Sequence, residues 1–168
     1  MRVRAVQLQS ANSDSTGLGL SINNKVLPEV DFSYFFNKQW AAELILTVPQ
    51  SQDLSANGAK IGTLKHLPPT LTAQYHFDAA GFSPYLGAGV NYTRFSDVNI
   101  LNGAANIGRD SFGAAVQAGV DVPLSGNMSL NLDLKKVYLG TKVYVGAANV
   151  GNFKVDPVLI GLGLGWRF

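Results

Sequence analysis

The chain ends on Val158-Leu159-Ile160-Gly161-Leu162-Gly163-Leu164-Gly165-Trp166-Arg167-Phe168, and this stretch decides the fold. Side chains of an extended strand alternate between two faces, so every second residue shares a face. One face here is large and apolar and carries Trp166 and Phe168, whereas the other is mostly glycine. Strands of bacterial outer-membrane barrels have this pattern: apolar side chains face lipid, small or polar ones face the lumen, and aromatic residues lie at the interface. The stretch therefore predicts the closing strand of a transmembrane barrel.

The composition fits a membrane barrel and excludes a bundle of spanning helices. Charged residues make up 14% of the 168 residues, against roughly 25% in typical soluble domains. The longest uncharged stretch, residues 79–93, is interrupted by three glycines and a proline, and it is shorter than the roughly 20 apolar residues that a spanning helix needs. A closed barrel is the other structure that pairs every backbone group in lipid. The length suits one domain, so we predict a single barrel over residues 1–168.

Eight segments alternate apolar and polar residues with a period of two. They are residues 3–10, 29–36, 40–48, 70–77, 86–93, 111–122, 128–135 and 158–168. The connections after the second, fourth and sixth segments are short, whereas the first loop (12–24) and the stretches 49–63, 96–109 and 140–153 are long. Bacterial barrels have an even number of strands, short periplasmic turns and long extracellular loops. The sequence therefore predicts an all-β fold, namely an eight-stranded antiparallel transmembrane β-barrel.

The first segment fits the alternation least well. Arg2 and Arg4 share a face with Val6 and Leu8. A bulge would explain this change of character. An inward face that becomes apolar toward the outer end of the strand would explain it equally well.

Several classes of function are disfavoured by composition. There is no cysteine, which removes thiolate catalysis and sulfur-based zinc sites. The formal charge is only +2 and no run of five basic residues occurs, so no nucleic-acid partner is expected. Met1-Arg2-Val3-Arg4 leads straight into a strand pattern without a signal peptide. We expect an export signal to have been removed before insertion into the outer membrane.

Many charged residues fall on predicted inward faces. An eight-stranded barrel is nearly filled by its own side chains, so these charges must pair inside the lumen. We predict an ionic plug that closes the periplasmic half; the alternative, an ion-selective ring, needs a wider pore. The predicted plug residues are Arg2, Arg4, Glu29, Asp31, Glu43, Asp121, Asp133, Lys135 and Arg167.

Five segments carry a family resemblance. They are residues 65–77 (KHLPPTLTAQYHF), 84–95 (PYLGAGVNYTRF), 132–138 (LDLKKVY), 155–157 (VDP) and the final Trp-Arg-Phe. Their residues and their order resemble those of the OmpW family of small outer-membrane barrels. The resemblance covers most of the chain from residue 28 onward. The first loop looks shorter than in the family. The resemblance implies a narrow hydrophobic passage in the outer half that opens sideways into the outer leaflet, as in the alkane-uptake AlkL-type members.

The Pro68-Pro69 pair is the sharpest local motif. Proline cannot donate to a ladder, so it is confined to edges, bulges and strand starts. The pair indicates either the start of a strand or a gap in the barrel wall, and the resemblance favours the gap. The residues predicted to line the channel and its lateral opening are Leu27, Leu64, Leu67, Pro68, Pro69, Tyr138 and Val143.

Aromatic residues concentrate on the outward faces near the short turns. We predict that Tyr34, Trp40, Tyr75, Phe77, Trp166 and Phe168 form the periplasmic aromatic girdle. The resemblance further implies that Phe168 is read by the barrel-insertion machinery. Expected partners are outer-membrane lipid and lipopolysaccharide, a small hydrophobic solute, and detergent bound in the structure.

The function predicted from these observations is passive uptake of small hydrophobic molecules, without enzymatic activity, cofactor, catalytic residues or metal site. His66 and His76 are ten residues apart on one extended segment, about 33 Å, so they cannot share a metal or a catalytic triad. One alternative is a structural or interaction barrel with a packed lumen whose extracellular loops bind partners. A second is an enzyme with a Ser–His pair in the outer loops.

Overall fold

The computed structural model describes residues 1–17, 19–48, 50–67, 69–100, 105–145 and 148–168, without the side chains of residues 50, 64–67, 97–99, 105 and 106. The strands in this part of the chain are β1 (Arg2–Gln9), β2 (Ser13–Asp14), β3 (Leu20–Ile22), β4 (Lys25–Phe35), β5 (Trp40–Thr47), β6 (Gln50–Ala56), β7 (Ala59–Leu67), β8 (Thr70–His76), β9 (Ser83–Ile100), β10 (Ala105–Ile107), β11 (Asp110–Pro123), β12 (Met128–Val137), β13 (Gly140–Val145), β14 (Ala148–Lys154) and β15 (Val158–Trp166). Within the same residues, no helix has the length and apolar character needed to cross a membrane.

Eight of the described strands close into an antiparallel barrel. The order around the wall is β1, β4, β5, β8, β9, β11, β12 and β15. The barrel closes because β15 pairs with β1, from Arg2 opposite Gly165 to Gln9 opposite Val158. The predicted eight-stranded barrel, with its first strand paired to its last, is confirmed.

The two ends of the barrel differ in their connections. Three short turns, residues 36–39, 77–82 and 124–127, lie at one end, which we call the turn end. At the opposite end, the hairpin end, the long connections contain further strands. The predicted loop 49–63 is largely the β6–β7 hairpin, and 140–153 forms much of the β13–β14 hairpin. Asn57 and Gly58 both have positive φ, 48° and 81°, as in the type I′ turns that favour Asn-Gly in hairpins.

The first strand has no bulge. Its pairs with β15 and with β4 follow one another without a register shift. Arg2, Arg4, Val6 and Leu8 are all buried and therefore all point into the lumen. The inward face thus changes from charged at the turn end to apolar toward the hairpin end, which was the second of the two explanations for this strand.

Large apolar side chains cover the outside of the barrel. Leu132, Val90 and Leu162 are 48%, 62% and 53% exposed, whereas their neighbours Asp133, Asn91 and Gly163 face the lumen. This arrangement, with polar groups inside and apolar groups outside, is what a barrel wall in lipid requires.

Candidate functional site: a cavity above an ionic plug

Arg4 is the centre of the charged half of the lumen. Its guanidinium contacts Asp31 and lies 3.3 Å from both Glu43 and Asp133, while its Nε lies 3.1 Å from Glu29. Three strands of the barrel, β4, β5 and β12, are thereby tied to one side chain on β1. Space for it comes from the inward glycines of β15, because a Cβ at Gly163 would lie 2.6 Å from Arg4 Cγ.

A second arginine, Arg2, pairs with carboxylates nearer the turn end. Arg2 Nη2 lies 2.7 Å from Asp121, and Arg2 Nη1 contacts Glu43. Because Glu43 contacts both Arg2 and Arg4, the two clusters form one network. Buried charges are tolerated when they are paired and hydrogen-bonded in this way.

Neutral polar side chains complete the network. Gln117 Nε2 donates to Glu43 and Asp133 at 2.9 and 2.7 Å, and Tyr85 Oη donates to Asp133 at 2.8 Å. Gln74 and Asn131 donate to Glu43 and Asp121. These four residues were not among the predicted plug residues. Gln74, Gln117 and Asn131 do fall on the inward faces of predicted strands, so the alternation could have identified them. Tyr85 lies one residue before the predicted strand 86–93.

Lys135 closes the network on the side of the hairpin end. Its Nζ lies 3.1 Å from each carboxylate oxygen of Glu29 and 3.8 Å from Asp133. We use the name ionic plug for the eight connected charged residues, namely Arg2, Arg4, Glu29, Asp31, Glu43, Asp121, Asp133 and Lys135. Five carboxylates and three cations are present in this set.

An apolar cavity lies directly above the plug. Glu29 and Lys135 form part of its floor, and its walls include Leu54, Phe95 and Phe153. Its volume, measured as the space open to the centre of a water-sized group, is about 80 Å³. One water needs at least roughly 10–15 Å³ on this measure, so the cavity holds a chain of several atoms.

Six of the seven predicted channel residues divide into three groups, and the seventh, Pro69, lies beside the break in the ladder described below. Leu27 and Val143 are buried and line the cavity. Tyr138 does not: it is 49% exposed on the outside, because its neighbours Val137 and Leu139 take the inward positions. The prediction for Tyr138 was therefore wrong. Pro68 and the side chains of Leu64 and Leu67 lie outside the described residues.

The described part of the ladder beside the cavity has a break near Pro69, around residues 49 and 68, which lie outside the described residues. Pairing between β5 and β8 ends at Ile45 opposite Thr70, and it resumes between β6 and β7 at Gln50 opposite His66. Within the described residues, no pair joins 46–48 to 67 or 69. On the sides that face away from the break, both segments stay paired with their other neighbours. Thr47 lies opposite Glu29 of β4, and Pro69 O accepts a hydrogen bond from Tyr92 N of β9 at 3.0 Å. We call this interruption the wall gap.

The wall gap adjoins the cavity. Ile45, Thr47 and Thr70, which surround the interruption, all line the cavity. The geometry is therefore an apolar chamber with a charged floor beside the wall gap, and it offers space for an apolar guest.

Comparison with known proteins agrees with this architecture. The model of the OmpW family matches residues 2–168. The chain belongs to the OmpW family. It is 39% identical to the uncharacterised outer-membrane protein y4mB of Sinorhizobium fredii, over all of this chain and 79% of the relative. It is 31% identical to Outer membrane protein W of Escherichia coli, over 89% of this chain and 76% of that protein.

Other matches extend the comparison. The dibenzothiophene metabolism operon protein PahQ of Pseudomonas aeruginosa is 28% identical over 82% of this chain and 69% of its own length. The outer membrane protein OprG from Pseudomonas aeruginosa has a crystal structure that matches with a TM-score of 0.86 at 26% identity, covering 99% of this chain and 93% of OprG. The outer membrane protein AlkL matches in fold, with a TM-score of 0.72 at 23% identity over 99% and 89% of the two chains.

Membership of the OmpW family places the barrel in the bacterial outer membrane, with its turn end in the periplasm. At that end the structure places aromatic rings on the outside. Trp40 and Tyr75 pack edge to face at 5.2 Å, and Tyr75 and Phe77 do so at 4.9 Å. Of the other predicted girdle residues, Tyr34 is exposed near the turn end of β4, Trp166 is the last residue of β15, and Phe168 is exposed at the chain end. Their function as a membrane girdle stays a prediction.

Arg167 is not part of the plug, and its assignment there was wrong. It is exposed and its guanidinium lies 5.8 Å from the centre of the Phe35 ring. Strand β15 ends at Trp166, so the alternation that would direct Arg167 into the lumen stops one residue earlier. His76, in contrast, is buried: it contacts Gln74 at 3.1 Å and packs against Phe35 and Tyr85.

Proposed function

We propose that this OmpW-family barrel is a passive conduit through which small hydrophobic molecules enter the outer membrane. The observation that carries the proposal is the apolar cavity beside the wall gap. A hydrophobic solute gains about 0.8 kcal/mol for each buried methylene, so a dry chamber holds it in preference to water.

The ionic plug sets the direction of exit. Glu29 and Lys135 end the cavity on the periplasmic side with charged groups, which an apolar solute does not pass. The wall gap offers a route that avoids water and charge. The solute therefore leaves sideways into lipid, and the barrel itself performs no catalysis.

The names of relatives support an apolar cargo. PahQ is named for dibenzothiophene metabolism, which concerns an aromatic, nearly water-insoluble compound. The cavity above the plug is lined mainly by apolar side chains, which supports a cargo of this kind.

The test of the proposal restores the ladder at the wall gap. Pro68→Val with Pro69→Thr supplies two backbone donors, and we expect uptake of an apolar tracer such as naphthalene to fall severalfold in cells whose only OmpW-family protein is the variant. Pro28→Val is the matched control, since Pro28 is already paired opposite Ala5 in the intact wall. Wild-type uptake no faster than in barrel-free cells would overturn the conduit and favour a structural or interaction barrel.

A further inference from the structure

Two buried polar side chains at the hairpin end have no hydrogen-bond partner among the described residues. They are Thr47, through its Oγ1, and Gln52, through both Oε1 and Nε2. Their exposed fractions are only 7% and 1%. Other inward polar groups nearby are satisfied: Asn91 Nδ2 donates to Thr70 Oγ1 at 2.8 Å, and Thr93 Oγ1 donates to Asn91 Oδ1 at 2.7 Å.

Both side chains flank the wall gap. Thr47 lies in the stretch of β5 that has lost its partner on β8, and it lines the cavity. Gln52 lies two residues beyond the point where pairing resumes at Gln50, and the next inward residue of β6, Leu54, is again part of the cavity wall. The unpartnered groups therefore border the proposed exit.

An orphaned buried amide is unfavourable, because it has given up its hydrogen bonds to water without replacing them. Gln52 offers two donors and an acceptor, and the Thr47 hydroxyl both donates and accepts. A guest with one hydroxyl or carbonyl satisfies such groups, whereas a plain hydrocarbon leaves them unpaired. Sites of this kind discriminate strongly against analogues that lack the polar group.

The charge of the guest is restricted by its surroundings. The cavity walls are almost entirely apolar, which disfavours any ion. The plug beneath contains more carboxylates than cations, which disfavours an anion in particular. A neutral polar group is the remaining choice.

We propose that Thr47 and Gln52 each offer a polar contact beside the wall gap, so that the exit favours apolar solutes carrying one neutral hydroxyl or carbonyl over the corresponding hydrocarbons. This inference rests on the proposed conduit function and names its substrate class more closely. The rest of the guest is held by the apolar wall of the cavity, and the single polar group is held at the exit.

The test compares 2-naphthol with naphthalene, which share one ring system and differ by a hydroxyl. Uptake rates are measured in cells that carry the barrel as their only OmpW-family protein, after subtraction of the rate in barrel-free cells. The variant combines Thr47→Val with Gln52→Leu, two changes of similar size that remove the polar atoms. Ser51→Val is the matched control, because Ser51 is exposed on the opposite face of β6.

We expect wild type and Ser51→Val to prefer 2-naphthol, and the double variant to lower the 2-naphthol-to-naphthalene ratio about tenfold, the factor expected for one lost hydrogen bond. If wild type took up both tracers at equal rates, the proposed selection at the exit would be overturned and the conduit would stand. This comparison needs no variant. An unchanged ratio in an assembled double variant would overturn the selection as well. Uptake of neither tracer by wild type would overturn the conduit itself.

Discussion

Glu29 and Lys135 join two strands that are not neighbours in the wall. Lys135 Nζ on β12 lies 3.1 Å from both carboxylate oxygens of Glu29 on β4, although β15 and β1 separate these strands. Both side chains are almost fully buried, and both form the floor of the apolar cavity. The pair therefore crosses the lumen at the height where its lining changes from charged to apolar.

The first prediction removes one member of this pair. Lys135→Met keeps the length of the side chain and leaves Glu29 with Arg4 as its remaining cation. Breaking a buried ion pair from one side costs about 3–5 kcal/mol, so we expect a clear fall in the free energy of unfolding. Urea titration in detergent, followed by the mobility difference between folded and heated barrel on gels, measures it.

An exposed ion pair on the same barrel provides the control. Lys60 Nζ lies 2.7 Å from Asp53, with the two side chains 57% and 49% exposed. Lys60→Met should change stability by at most about 1 kcal/mol, the usual range for surface pairs. Equal effects of Lys60→Met and Lys135→Met would mean that the plug adds nothing beyond an ordinary surface contact.

The second prediction concerns ion flow through the barrel. The plug, together with Tyr85, separates the cavity from the wider space at the periplasmic mouth, and Arg4 and Tyr85 are the two largest fully buried side chains among the described residues. Wild-type barrel in a planar bilayer should therefore conduct salt poorly. Arg4→Ala combined with Tyr85→Ala should raise single-channel conductance severalfold, because water and ions enter the space that is vacated. High conductance of the wild type would contradict a closed plug.

The barrel itself was predictable from sequence because its wall repeats one simple rule. Period-two alternation, as in residues 111–122, decides which side of a strand faces lipid, and the three short turns fix the neighbours. The charged residues of the plug were predictable for the same reason. The prediction for Arg167 was wrong because alternation continues only as long as the strand, and β15 ends at Trp166.

The hairpin end was less predictable. Residues 50–56 are polar and lack alternation, so they looked like a loop, although Asn57-Gly58 is a strong hairpin signature and was overlooked. The orphaned state of Gln52 could not be seen in the sequence, because it depends on what β7 and the lumen place around it. Tyr138 failed for a related reason: apolar residues occur on both faces near the hairpin end, so apolar character no longer identifies the inward face.

The third prediction separates folding from assembly. Phe168 is 98% exposed and contributes little packing to the barrel, so its deletion should leave the urea midpoint of refolded protein almost unchanged. Assembly in cells should nevertheless slow, since the terminal aromatic residue is expected to be read by the insertion machinery. Pulse-chase labelling of folded barrel measures the rate, and Phe168→Tyr should assemble normally. Unchanged assembly after deletion would remove Phe168 from that role.

The last prediction fills the cavity from one strand. Leu27 is buried and lines the cavity, whereas its neighbour Val26 is 58% exposed on the lipid face of β4. Leu27→Trp introduces an indole into the chamber and should lower naphthalene uptake severalfold, at a cost in stability of about 1–3 kcal/mol from overpacking. Val26→Trp adds the same side chain one residue away, on the outside, and should leave uptake at the wild-type rate. Both variants are first checked for assembly by heat-modifiable mobility on gels. Undiminished uptake in assembled Leu27→Trp would show that the solute does not travel through this cavity, whereas equal losses in both variants would point to an effect of tryptophan on the barrel as a whole.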